Sequence, residues 1–211
     1  MSRLAEIERE LANHGLANFG VVHAGLPDGT GSLILLGPAE PGFWDMFTRT
    51  PEYQDGAPDP LDRWSARVIG RLAKTLRAQA LFPFGGPPYQ PFIQWALDSG
   101  RAHVSPVGLL VHDAAGLMVS YRGALGFVDV IAAPSPPPLP CSTCTDKPCL
   151  AACPVDALGA TGYDVPACKA DLDRVGNDCM ASGCRVRRSC PVSQSHGRAE
   201  AQSAFHMRAF R

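Results

Sequence analysis

The sequence predicts an α+β protein built in two parts, and three observations carry that prediction. Over residues 1–133, segments with apolar residues at three- and four-residue steps alternate with short apolar runs bounded by glycine. All eight cysteines fall between Cys141 and Cys190, with none in the first 140 residues. Between the two regions, residues 134–140 read PSPPPLP, five of seven being proline, which makes a semi-rigid extended spacer. The expected organisation is an α+β domain over 1–133, the Pro-rich linker over 134–140, a cysteine domain over 141–192, and a C-terminal helix over 193–211 that packs on the body.

Residues 3–14 read as a helix, because Leu4, Ile7 and Leu11 share one face and Gly15 can end it. Phe19–His23 and Ser32–Leu36 suit strands, and Phe43, Trp44 and Phe47 suggest a short helix after Pro41. The strongest helix signal begins at Asp59-Pro60. Aspartate can accept from the first-turn amides, and proline presets φ at the first helical position. Leu61, Trp64, Val68, Leu72 and Leu76 then mark one face through about residue 79, opposite Arg63, Arg67, Arg71, Lys74 and Arg77. That basic stripe reads first as a solvated face and second as a phosphate-binding surface. LFPFGGPP at 81–88 breaks regular structure. Its Phe82-Pro83-Phe84-Gly85-Gly86 core can turn the chain or receive a flat ring. Residues 89–99 return to helical pattern, with Gly100 as a stop. Gly108–His112 and Leu117–Arg122 are strand-like runs around Asp113-Ala114-Ala115-Gly116, a hairpin signal, and a third run follows from Ala124 to Ile131. Trp44, Trp64 and Trp95 are expected in the core. The tail from Gln194 to Arg211, with Phe205, His206 and Phe210, suits a terminal helix.

Composition narrows the function classes. With 45% apolar and 18% charged residues a packed core is expected. A net charge of −1 argues against a general nucleic-acid or membrane-surface binder. MSRLAEIERE has no apolar h-region, and the longest apolar candidate, Val107–Ala133, is interrupted by His112, Asp113, Arg122 and Asp129. A reducing, cytoplasmic setting without membrane contact is therefore expected. There, clustered cysteines bind metal more often than they form disulfides.

The cysteines read Cys141-x2-Cys144-x4-Cys149-x3-Cys153-Pro154 and Cys168-x10-Cys179-x4-Cys184-x5-Cys190-Pro191. Eight thiolates are the number that two [4Fe–4S] cubanes need, one per iron. Three closely spaced cysteines wrap one cube, while the fourth, before proline, reaches the other. On that logic one cluster takes Cys141, Cys144, Cys149 and Cys190, and the other takes Cys153, Cys168, Cys179 and Cys184. Lys147–Ala152 can form a short helix, and Asp156–Val165 a hairpin turning at Gly159–Gly162. Residues 141–211 carry nine basic and seven acidic side chains. Two clusters, each about −2 with its thiolates, turn that +2 into roughly −2. Arg185, Arg187 and Arg188 can offset part of it. The competing reading is two zinc sites of four cysteines each, although only Cys141–Cys144 has the spacing of a zinc knuckle.

Residues 141–192 resemble the bacterial two-cluster ferredoxin domain, with wider spacing between second and third cysteines and a more expanded second half. A second resemblance lies in Gly108-Leu-Leu-Val-His112-Asp-Ala-Ala-Gly116-Leu-Met-Val-Ser-Tyr-Arg122-Gly123. It is similar to the hairpin of the cobalamin-processing CblC proteins, which belong with epoxyqueuosine reductases and reductive dehalogenases. The latter two place a ferredoxin module after a nitroreductase-like α+β domain, the order of parts met here. The resemblance implies a nitroreductase-like, CblC-like first domain with a pocket for a corrinoid or flavin. His112 and Arg122 are its candidate cofactor-binding residues, and each has a plain alternative, a polar turn residue and a salt bridge.

Taken together, these expectations describe an iron–sulfur electron-transfer protein. It would be an oxidoreductase delivering electrons to a cobalamin, flavin or small-molecule substrate, with a redox partner protein. The alternatives are a non-enzymatic ferredoxin-type carrier and a zinc-binding interaction protein. A tRNA substrate has only the Arg63–Arg77 stripe behind it and is not expected.

Overall fold

A computed structural model describes residues 2–159 and 162–211. It is a mixed α+β structure with small antiparallel sheets, and the chain divides into two compact units. One holds residues 1–101 and 120–137, and the other residues 102–119 and 138–211.

In the first unit, α1 (Arg3–Ala12) starts at Ser2, whose hydroxyl accepts from Ala5 N at 3.3 Å, and buries Leu4, Ile7 and Leu11. The chain turns at Gly15, where a φ of +71° suits glycine. It then pairs β1 (Leu16–Val22) with β2 (Ser32–Pro38). Every residue of β2 is buried. Because alternate side chains leave opposite faces, both faces of this strand are covered. Next come α2 (Phe43–Phe47), α3 (Pro51–Gln54), α4 (Pro60–Leu76), β3 (Gln79–Leu81) and α5 (Phe92–Asp98). After β4 (Ala102–Val104) and β5 (Leu110–His112), which belong to the second unit, β6 (Gly123–Phe127) completes the first sheet in the order β1-β2-β6-β3, antiparallel throughout. α4 packs on β3 and β6, and α5 on β1. Trp64 and Trp95 are fully enclosed and Trp44 is buried.

Two expectations for α4 change. Asp59 does not cap with its side chain. It adopts the left-handed conformation (φ 52°, ψ 46°), and its carbonyl accepts from Arg63 N at 3.0 Å. A cap whose carboxylate reaches the first-turn amides is normally extended. The basic stripe is also partly consumed. Arg63 holds Asp55 in a two-pronged pair at 2.8 and 2.7 Å, and Arg67 pairs both carboxylate oxygens of Glu52. Arg71, Lys74 and Arg77 remain exposed.

In the second unit β5 pairs with β4, Ala102 facing His112 and Val104 facing Leu110. This corrects the hairpin expected between 108–112 and 117–122. His112 and Gly116 do face each other across the turn, exchanging backbone hydrogen bonds of 3.0 and 2.9 Å. Beyond Gly116 no strand forms before β6, because side chains take the backbone. Leu117 N donates to Ser193 Oγ at 2.8 Å, Arg187 Nη1 donates to Leu117 O, and Arg198 Nη1 donates to Met118 O at 2.8 Å. These bonds tie 102–119 to the cysteine segment. Val107, Val111 and Leu117 also share a core with Cys149, Leu158 and Val186. The second unit thus starts again at Pro138, at the end of the proline run, but also takes 102–119 from upstream of it.

The remaining elements are short: α6 (Pro140–Thr143), a 3-10 turn (Pro148–Leu150), β7 (Leu158–Gly159), β8 (Gly162–Tyr163), α7 (Val165–Leu172), α8 (Cys179–Ser182), α9 (Arg185–Ser189), α10 (Pro191–Ser195) and α11 (Glu200–Phe210). β7 and β8 pair antiparallel; the turn expected between them includes residues 160 and 161, outside the described residues. The tail is two helices parted at Gly197. α11 packs on α8, Met207 sharing a core with Leu172 and Cys179. Among the described residues no helix is long and apolar enough to cross a membrane.

Candidate metal centre

Prolines place three of the cysteines. Pro140 opens α6 with Cys141 as the next residue, Pro148 opens the 3-10 turn with Cys149 next, and Pro191 opens α10 directly after Cys190. The preset φ of each proline favours a helix start at that point and so places the neighbouring cysteine at the helix end. Cys144 ends α6 in extended conformation (φ −83°, ψ 96°). These four cysteines, Cys141, Cys144, Cys149 and Cys190, line one cavity of about 390 Å³ in the second unit. Its wall is otherwise largely apolar and includes Val111, Leu117 and Val192. Ser105 also lines it, with a buried hydroxyl that has no hydrogen-bond partner among the described residues.

The other four, Cys153, Cys168, Cys179 and Cys184, line a separate recess of about 20 Å³, room for about one water. Cys168 sits on α7, which Asp164 caps by accepting from Ala167 N at 2.9 Å. Cys179 opens α8, and Cys184 precedes α9. Ala157 N donates to Cys153 Sγ at 3.3 Å, and the Tyr163 hydroxyl donates to Cys168 Sγ at 3.2 Å.

Burial pushes the Cys141 and Cys149 thiols up, and the cysteines beside them push further. Lys147 works against this at Cys141, and the N–H groups of Cys149 and Leu150 do so at Cys149. Burial likewise raises Cys168 and Cys179, opposed at Cys168 by the Tyr163 hydroxyl and at Cys179 by the Arg185 N–H. Such groups stay protonated as free thiols near neutral pH, whereas a coordinated metal deprotonates a thiol outright. Among the described residues no three His, Cys, Asp or Glu side chains close on a single-ion position.

The donor chemistry fits an iron–sulfur cluster. Four cysteines line each space, the number of thiolates that one [4Fe–4S] cube takes. The first space is roomy; the second, with room for about one water, is smaller than a core of four irons and four sulfides, so a cluster there would have to part its walls. Of the three arginines after Cys184, Arg185 and Arg188 both bind Asp178, at 2.6 and 2.7 Å. Arg187 interacts electrostatically with Cys184 and Tyr163, and burial lowers its pKa.

The pocket candidates lie elsewhere. His112 belongs to the second unit and Arg122 to the first. His112 is fully enclosed, and its Nδ1 accepts from Ala114 N and Ala115 N at 3.1 and 3.2 Å, closing the turn. Arg122 is 3.4 Å from Asp62, and burial pushes its pKa down. Phe82 and Phe84 pack on each other, their ring centroids 5.1 Å apart. Sequence reasoning missed Ser105, Tyr163 and Ser193. The one signal for Tyr163 was an aromatic hydroxyl five residues before a cysteine, at the end of a hairpin pattern.

No family model matches the chain, and neither the curated proteins nor the solved structures give a match.

Proposed function

We propose that this chain is an iron–sulfur electron-transfer protein whose second unit holds two [4Fe–4S] clusters. Cys141, Cys144, Cys149 and Cys190 hold one, and Cys153, Cys168, Cys179 and Cys184 the other. One observation carries the reading. The eight cysteines separate into two fours around two spaces, and each four takes one member from the other motif. That exchange is what a pseudo-symmetric two-cluster ferredoxin requires of its Cys-Pro cysteines. It is the ground for reading the second unit as ferredoxin-like. Nitroreductase-like kinship has only the Gly108–Gly123 motif behind it, and most of that motif belongs to the second unit.

A [4Fe–4S] cluster, when bound, accepts and releases one electron at a time. The protein contributes the thiolates, the N–H and O–H donors on their sulfurs and, around the first space, a largely apolar wall. His112 Nδ1 and Arg122 are engaged by the turn amides and by Asp62, so the reading gives neither a ligand. It stops at electron exchange with a redox partner. Anaerobic reconstitution followed by iron, sulfide and zinc analysis tests it. About eight irons and eight sulfides per chain are expected. About two zincs and no sulfide would refute it in favour of two four-cysteine zinc sites.

A further inference from the structure

We infer that Tyr163 sets the reduction potential of the second centre by donating its hydroxyl hydrogen bond to Cys168. The inference rests on the iron–sulfur reading and names a residue no cysteine pattern contains.

Tyr163 closes β8, the strand before the helix that carries Cys168. Its hydroxyl donates to Cys168 Sγ across 3.2 Å. The ring is held from the other side by Phe210 of α11, nearly parallel (12°) with centroids 6.0 Å apart. Phe210 is itself fixed. It packs against the core of Leu172, Cys179 and Met207, and the Lys169 ammonium stands 5.3 Å from its ring centroid. The phenol therefore lies between an aromatic wall and a thiol of the proposed ligand set. A phenol carries one O–H, and this is the donor the bond uses.

The chemistry at this position is a one-electron change. An external one-electron reductant is oxidised and the centre reduced, with no bond formed or broken and no proton moved. The added negative charge spreads over the sulfurs. A donor on one of them favours the more negative state, as hydrogen bonds to cluster sulfurs do generally. The hydroxyl thus raises the potential of the centre that Cys168 serves and leaves the other alone.

Tyr163→Phe removes the hydroxyl, keeps the ring and its stack on Phe210, and lies where the side chain is partly solvent-exposed. The test is a dithionite titration of the reconstituted chain, read by electron paramagnetic resonance, beside iron and sulfide analysis of both proteins. Full iron is expected in both, with one of two midpoints moved to lower potential in the variant and the other unmoved. An exchangeable-proton hyperfine coupling should also disappear from the shifted centre. Full iron with both midpoints unmoved overturns the assignment, as does loss of half the iron from the variant, which makes the hydroxyl a structural tie. Absence of iron and sulfide from the unmodified chain instead overturns the iron–sulfur reading itself.

Discussion

Protonation of His196 destabilises the second unit on the acid side of neutrality. The imidazole ends α10, and burial, aided by the Arg198 guanidinium, lowers its pKa to about 4 from an ordinary 6.5. A base whose pKa is depressed on folding binds its proton more readily in the unfolded chain. Its contribution is therefore fully present above pH 6.5 and is lost as pH falls toward 4. At pH 5 the unfolded imidazole is about 97% protonated and the folded one about 10%, which corresponds to about 2 kcal/mol. Because the side chain is partly exposed, about 1–2 kcal/mol is expected. The measurement is urea unfolding of the chain and of His196→Gln, followed by far-ultraviolet circular dichroism from pH 8 to pH 5. The unmodified chain should lose that much more stability than the variant, with unchanged urea slopes. Equal losses in the two proteins would mean that His196 is hydrated in the folded state, and the argument would fail.

Three other expectations follow from the geometry. Glu52→Gln should cost about 1 kcal/mol at pH 7 by urea unfolding, since Arg67 keeps only a neutral partner. Arg67 holds the Glu52 carboxyl below its ordinary value, so this contribution is present above about 4.5 and disappears as pH falls through the lower folded value, narrowing the gap between the proteins. Gly116→Ala should cost about 2 kcal/mol or more in thermal or urea unfolding. A Cβ there meets Ser193 N at 2.4 Å on a backbone with φ of +56°, where the Leu117–Ser193 bond is made. Cys190→Ser should remove the same centre as Cys141→Ser, so the double variant loses about four irons rather than about eight. Additive loss would assign Cys190 to its own motif.

What was legible in the sequence is what neighbouring residues decide. Leu4, Ile7 and Leu11 are buried because their steps match a helical face, as are Leu61, Trp64, Val68, Leu72 and Leu76. β2 was readable as a continuous apolar run, the pattern of a strand covered on both faces. β3 and β4 were not, because strands of three residues carry no periodicity. The hairpin after His112 failed for a related reason. Asp113–Gly116 does form a turn, but Ser193, Arg187 and Arg198, 70 to 80 positions downstream, outcompete a second strand for the backbone of Leu117 and Met118. Asp59 misled because residue type names a capping candidate while φ decides whether it caps. Cysteine spacing suggests which thiols can meet, since short loops reach only so far. For Tyr163 the spacing to Cys168 was the one signal, and it does not fix a bond that depends on how a two-residue strand meets the helix carrying Cys168.

The two thiol sets differ in how much order the chain supplies beforehand. Around the first space, three cysteines adjoin prolines, and Val111 and Leu117 come from the 102–119 segment that Ser193 and Arg187 tie down. Backbone held this way loses little further freedom when the thiols take a common occupant. The second set draws on Cys153 ahead of β7, Cys168 on α7, Cys179 at the start of α8 and Cys184 ahead of α9, and its recess is small. An occupant there must do more of the ordering itself, so a larger share of its binding free energy appears as folding free energy. The Phe210 wall behind Tyr163, and the packing of Met207 on Cys179 and Leu172, then bear directly on that centre. On this account α11 is part of the scaffold of the second thiol set rather than a tail.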